Sequence, residues 1–171
     1  MGALSALPTP GDANLVWQKV RLHLANATPQ AQLAFKGLKE ALTTQRRNPN
    51  LALATFSAEQ LLTADDGLGI GAGTAQVYGI YFKKRDDATD AWFTVVDNGT
   101  DDNIYGGSLT ASYILAQAAK IASKESAYVF PTGLDILLGI RLASFTTGAA
   151  GTTASVAAAD SVDGFLIYGA A

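Results

Sequence analysis

Residues 127 to 145, Ala-Tyr-Val-Phe-Pro-Thr-Gly-Leu-Asp-Ile-Leu-Leu-Gly-Ile-Arg-Leu-Ala-Ser-Phe, constrain the fold more than any other stretch of the chain. After Gly133 the pattern has period two. Leu134, Ile136, Leu138, Ile140 and Leu142 fall on one side, and Asp135, Leu137, Gly139, Arg141 and Ala143 on the other. Alternation of that length predicts a strand with one buried face. Ahead of it Tyr128 and Phe130 share a side while Val129 points away. Pro131 presets its φ for a turn corner, and Gly133 supplies a permissive φ at the end of that turn. The stretch therefore reads as two strands joined by a tight turn through residues 131–133, which argues for a β-sandwich.

Taken in order, the chain begins with residues 1–14, which carry Pro8, Pro10 and Gly11 and no periodic pattern. They read as an arm, extended or disordered when free. Residues 20–24 alternate and suit a short strand, while residues 15–25 also suit a helix. A helix is predicted over residues 28–47. Thr28 caps it, Pro29 fits its first position, and Ala31, Phe35, Leu38 and Leu42 recur at spacings of three and four. Arg46 and Arg47 fall in its last turn, where cations favour the dipole.

From residue 51 onward the chain is strand-rich. Strands are predicted over 51–56, 75–85, 91–96, 112–121 and 164–169, with an edge strand over 154–159; residues 112–121 also suit a helix through Ile114, Ala118 and Ile121, and their β-rich surroundings favour the strand. In the second of these strands Tyr78, Ile80 and Phe82 take one face, with Val77, Gly79 and Tyr81 opposite. It pairs with 91–96 as a hairpin turning through Asp86–Asp90. Residues 67–73, Gly-Leu-Gly-Ile-Gly-Ala-Gly, are too rich in glycine for regular structure and read as a loop. About seven or eight strands with sandwich-like turn spacing predict a mainly β fold. Two packed antiparallel sheets in a jelly-roll-like sandwich (residues 51–171) follow an N-terminal extended arm and one α-helix (residues 1–50). No internal repeat is visible.

Charge narrows the function classes. Only 16% of the 171 residues are charged, against about a quarter in an ordinary domain, while 49% are hydrophobic and 17 are glycine. A chain so poor in charge has little with which to solvate its whole surface, so part of that surface is expected to face another protein. The net charge of −3 leaves no basic excess for phosphates, and nucleic acid is not expected as a partner. The absence of cysteine excludes disulfides, thiol nucleophiles and Cys-based metal sites. No run approaches a membrane span, and the first residues lack the basic and apolar regions of a secretory leader.

No constellation announces chemistry. Gly67 to Ala72 formally matches a dinucleotide fingerprint, but that motif works only between a strand and a helix, and here a strand follows. His23 is the single histidine, and no serine lies in a nucleophile elbow. The acidic groups Asp65-Asp66, Asp86-Asp87-Asp90 and Asp97-Asp101-Asp102 lie in expected turns, without the spacing of a calcium loop. Their default role is in solvated turns. Lys83-Lys84-Arg85 is a basic run at a strand end, suited to solvent or to an acidic partner. No catalytic, cofactor-binding or metal-binding residue is assigned, and the expectation is a protein that is not an enzyme.

The segment Tyr-Val-Phe-Pro-Thr-Gly-Leu-Asp-Ile-Leu-Leu-Gly-Ile-Arg-Leu at 128–142, followed by a small-residue loop and Asp-Gly-Phe-Leu-Ile-Tyr-Gly at 163–169, resembles small virion proteins of tailed bacteriophages. Among these are the jelly-roll cement and decoration proteins of the capsid. The resemblance covers residues 75–170 by pattern and none of residues 1–50. It implies a virion structural protein on the capsid surface, assembled in the host cytoplasm. Its implied partners are the major capsid protein and itself, as a homotrimer, with an N-terminal arm tying neighbours together. The alternatives are another virion component (tail, collar or fibre base) or a carbohydrate-binding sandwich in which Trp17, Trp92 and tyrosines stack on sugar.

Overall fold

A computed structural model describes residues 4–7, 11–46, 50–63, 68–85, 92–98, 114–117, 125–145 and 162–170. Its core is two antiparallel sheets packed face to face, with a layer of helices on one of them. The five-stranded sheet runs in the order β1 (Gly11–Asp12), β2 (Asn50–Phe56), β9 (Val162–Ala170), β4 (Ala75–Lys84), β7 (Glu125–Ile136). The four-stranded sheet runs β3 (Leu68–Ala72), β8 (Gly139–Phe145), β5 (Trp92–Asp97), β6 (Ile114–Gln117). The pairings are nested: β5 with β6, β4 with β7, β3 with β8 and β2 with β9. Three more pairings, β4 with β9, β5 with β8 and β1 with β2, complete the sheets.

Two apolar clusters follow from strand alternation. Between the sheets lie Val77, Ile80, Phe82, Phe93, Val95, Ile136, Ile140, Leu142, Leu166 and Tyr168. Between the five-stranded sheet and the helices lie Trp17, Val20, Phe35, Leu38, Leu42, Tyr78, Tyr81, Phe165 and Ile167. β9 has the expected faces, with Phe165 and Ile167 toward the helices and Leu166 and Tyr168 toward the other sheet.

The helices depart from expectation in number. Among the described residues there are three, not one. α1 (Ala13–His23) resolves the ambiguity of residues 15–25: Ala13, Val16, Trp17 and Val20 are buried at helical spacing, and the Asp12 carboxylate caps the helix by accepting from the Asn14 amide at 2.8 Å. The arm expected through residue 14 therefore stops at α1. α2 (Pro29–Thr44) has the predicted stripe of Ala31, Phe35, Leu38 and Leu42 and the predicted Thr28 cap. It ends at Thr44, two residues before Arg46, whose φ is 55°. A left-handed residue breaks the helix there, so no cation sits in the last turn. α3 (Ala58–Thr63) begins with a reciprocal box: the Ser57 amide donates to Gln60 Oε1 at 2.9 Å, and the Gln60 amide donates to Ser57 Oγ at 3.3 Å.

Both expected hairpins are overturned. β4 and β5 lie in different sheets, and so do β7 and β8. The turn between the latter is at Leu137-Leu138, both exposed, and it is a corner from one sheet to the other. Ile136 and Ile140 consequently enter the same core from opposite sides. Pro131-Thr-Gly133 lies inside β7 as a bulge: Val77 pairs with Leu134 while Gly79 pairs with Val129. Gly133 does adopt the positive φ, 86°, that its turn chemistry predicts.

The same irregularity corrects the faces of β4. Tyr78 is an extra residue against β9, where Val77 opposes Tyr168 and Gly79 opposes Ile167. One inserted residue reverses the parity of all that follow. Val77, Ile80 and Phe82 therefore share the inter-sheet face, and Tyr78 and Tyr81 share the helix face. β8 is buried on both faces, since Arg141 and Ala143 are covered as fully as Ile140 and Leu142.

The glycine run 67–73, expected to be a loop, contains β3. Its glycines make room for the N-terminal segment. A Cβ at residue 71 would stand 2.7 Å from Leu7 Cα, and one at residue 69 would collide with the Leu4 side chain. Leu7 donates its amide to Ala72 O at 3.1 Å, and Ala72 donates to Ser5 O at 2.7 Å. Of the expected strand over 112–121, residues 114–117 are described and form β6. The expected edge strand over 154–159 lies outside the described residues.

Candidate functional site

Of the described residues that stood out in the sequence, His23, Lys83 and Arg85 line one concave surface, while Trp17 and Asp97 lie elsewhere. His23 is exposed at the end of α1, its ring 5.4 Å from that of Phe165. Trp17 is largely buried on the inner side of α1, and what remains accessible of it lines a concave surface between α1 and α2. Asp65-Asp66, Asp86-Asp87-Asp90 and Asp101-Asp102 lie outside the described residues. Among the described residues no group of three or more His, Asp or Glu side chains is placed to hold a metal ion. No described helix is long and apolar enough to cross a membrane.

Asp97 is a structural anchor and not a solvated turn residue. Its carboxylate accepts three consecutive amides from the β7–β8 corner: Leu137 at 3.0 Å, Leu138 at 2.7 Å and Gly139 at 3.1 Å. The basic run also divides. Lys84 is buried. Arg85 forks onto Asp163, with Nε 2.7 Å from Oδ2 and Nη2 2.9 Å from Oδ1, and its Nη1 meets Glu59. That guanidinium lowers the pKa of the Glu59 carboxyl. Asp163 Oδ1 also accepts the Ala58 amide at 2.8 Å, so the cluster holds α3 on the sheet.

A second carboxylate secures the helix layer. Glu125, at the start of β7, accepts the Thr28 amide on one oxygen at 2.8 Å and the Tyr81 hydroxyl on the other at 2.6 Å. Burial works against the charge on Glu125, but the hydrogen bonds from Thr28 and Tyr81, with Lys83 nearby, outweigh it and leave the carboxyl below its ordinary value. Burial, and then the same bond to the carboxylate, push the Tyr81 phenol upward.

Two concave surfaces among the described residues bear on function. The smaller, about 420 Å³, lies beside Arg85 and Asp163 and reaches His23, Ser57 and Tyr81. The larger, about 760 Å³, is a groove between α1 and α2. It exists because α1 lies over β2 while α2 lies over β7 and β4, so the helices stand apart above β9. Its floor is Trp17, Val20, Leu24 and Phe35. Arg21 rises from α1, and Lys36, Lys39 and Glu40 from α2.

Sequence reasoning missed this groove. Lys36 and Lys39, three apart beside the apolar stripe of α2, were a readable signal, but they acquire a partner wall only once residues 13–23 are known to be a helix. Glu125 carried no motif at all. Compared with models of known families, with curated proteins and with solved structures, the chain matches none.

Proposed function

We propose that this chain is a non-enzymatic virion structural protein, a capsid cement or decoration protein that binds the lattice of the major capsid protein and stabilises the phage head. The observation that carries the reading is the strand order. β2-β9-β4-β7 facing β3-β8-β5-β6, with its four nested antiparallel pairs, is the order obtained by rolling up one long hairpin with four strands on each arm. This order supports the jelly-roll reading that the resemblance of residues 75–170 to phage cement proteins implies. Fold alone does not assign function, so surface features supply the remaining support.

The N-terminal segment is one such feature. Residues 4–7 add to the edge of β3, and residues 11–12 add to the edge of β2 in the other sheet. A short edge-binding segment of this kind can transfer to the same edge of a neighbouring copy, serving as the arm of a homotrimer. The exposed Leu15, Leu22, Leu33, Leu137 and Leu138, on a chain poor in charge, supply apolar contact to other subunits. The mechanism is mechanical: the protein bridges neighbouring capsomers and buries surface across their joints.

Heads assembled with and without this chain test the reading by heat challenge. Heads that carry it should retain their DNA at temperatures where heads lacking it release it. Equal resistance would count against a cement role. Labelling on the tail or collar in particle images would move the protein to another part of the virion.

A further inference from the structure

The two helices carry charge opposite to the rest of the chain. Residues 12–46 contain five Lys or Arg (Lys19, Arg21, Lys36, Lys39, Arg46) and two acids (Asp12, Glu40), a net of +3. The whole chain has a net of −3, so the remainder carries −6. The open groove lies in this positive layer, with an apolar floor between a wall carrying Arg21 and a wall carrying Lys36, Lys39 and a single acid, Glu40.

We infer that the groove between α1 and α2 receives an acidic amphipathic helix of a partner protein. Its shape suits that occupant. The α2 wall runs from Gln32 to Thr44, about 19 Å at the helical rise, or more than three turns. Two helices already form the walls, and a third laid between them would set its apolar stripe on Trp17, Val20, Leu24 and Phe35. The charges select its flanks. Arg21 stands on one wall and Lys36 and Lys39 on the other, so acidic residues on both sides of the stripe meet cations. A fatty acid, with a single anionic end, would use only one wall. The inference does not depend on the capsid reading: any assembly that presents such a helix would be recognised here.

The test uses the full chain and two fluorescein-labelled, alanine-based peptides of about 18 residues, long enough to form a helix. Both carry leucines at helical spacing, flanked by Glu in one and by Lys in its twin. By anisotropy the Glu peptide should bind saturably with one site per chain, and the Lys twin should not. The affinity should fall as salt screens the walls. Reversing the walls with Arg21→Glu, Lys36→Glu and Lys39→Glu should weaken the Glu peptide at least about tenfold and admit the Lys twin. Ala25→Trp fills the groove without changing a charge and should block the Glu peptide. Circular dichroism melts establish that each variant is folded, and the salt dependence and Ala25→Trp stand as tests if the triple variant is not. Equal binding of the two peptides, binding of neither, or wild-type binding by the folded reversed variant would overturn the inference. So would saturable quenching of tryptophan fluorescence by dodecanoate with no binding of the Glu peptide, which would make the groove a lipid site.

Discussion

Tyr81 donates its hydroxyl hydrogen to Glu125 Oε2 at 2.6 Å, while the opposite oxygen of that carboxylate accepts the amide of Thr28 at 2.8 Å. One side chain thus joins β4, the edge strand β7 and the start of α2. Thr28 is also the N-cap of that helix, so the tie acts where α2 must begin.

This tie predicts a pH dependence at both ends. The Glu125 carboxyl is held below its ordinary value, so its contribution is complete above the ordinary carboxylate range and is lost as pH falls through the lower, folded value. The Tyr81 phenol is raised, so its contribution is complete below the ordinary phenol value and is lost as pH rises beyond it. Glu125→Gln should cost about 1–2 kcal/mol at neutral pH and flatten the acid limb of the stability curve. Urea titrations of both proteins across pH would check this, and parallel acid limbs would refute it.

Asp97 fastens the corner between the sheets through three backbone amides. Asp97→Ala leaves those amides without their charged acceptor, at a cost of about 2–3 kcal/mol. Hydrogen exchange should show loss of protection centred on residues 137–139, exceeding the change in β9. Uniform loss would mean that the corner has no special dependence on this carboxylate.

The N-terminal segment depends on the missing side chain of Gly71. Gly71→Ala places a Cβ against the Leu7 backbone, where no rotamer change can relieve the contact. The variant should release residues 4–7 to proteolysis and hydrogen exchange while leaving the thermal midpoint of the sandwich within a few degrees. Unchanged protection of residues 4–7 would contradict the packing.

α2 sits on Gly79. A Cβ there would meet Phe35 Cε1 at 2.7 Å and Leu38 Cδ2 at 3.0 Å. Gly79→Ala should therefore destabilise by about 1–3 kcal/mol through overpacking. Phe35→Leu alone should also destabilise, by removing the ring, yet the two together should cost less than their sum. Strict additivity in a double-mutant cycle would show that the two residues do not compete for the same space.

What the sequence made legible was local. Thr28, Pro29 and the stripe from Ala31 to Leu42 specify α2 with little help from outside, and alternation in residues 165–168 specifies both faces of β9. Partners were less legible. Period two marks a strand and its faces, but two strands close in sequence resemble a hairpin even when, like β7 and β8, they enter the core from opposite sheets. The bulge at Tyr78 has no signature in its own strand, since it follows from pairing with β9 and β7. Glycines 69 and 71 signalled a loop because the leucines that occupy their space lie more than sixty residues earlier. The Ser57-to-Gln60 box was readable and marks α3 plainly. The groove needed two helices to be placed before its cations had meaning.

Co-sedimentation with purified heads assembled without this chain tests the central claim most directly. Binding to the heads should be saturable, at a fixed number of copies per capsomer, with no pelleting in their absence. Failure to co-sediment with intact heads under conditions where the protein is folded would contradict it.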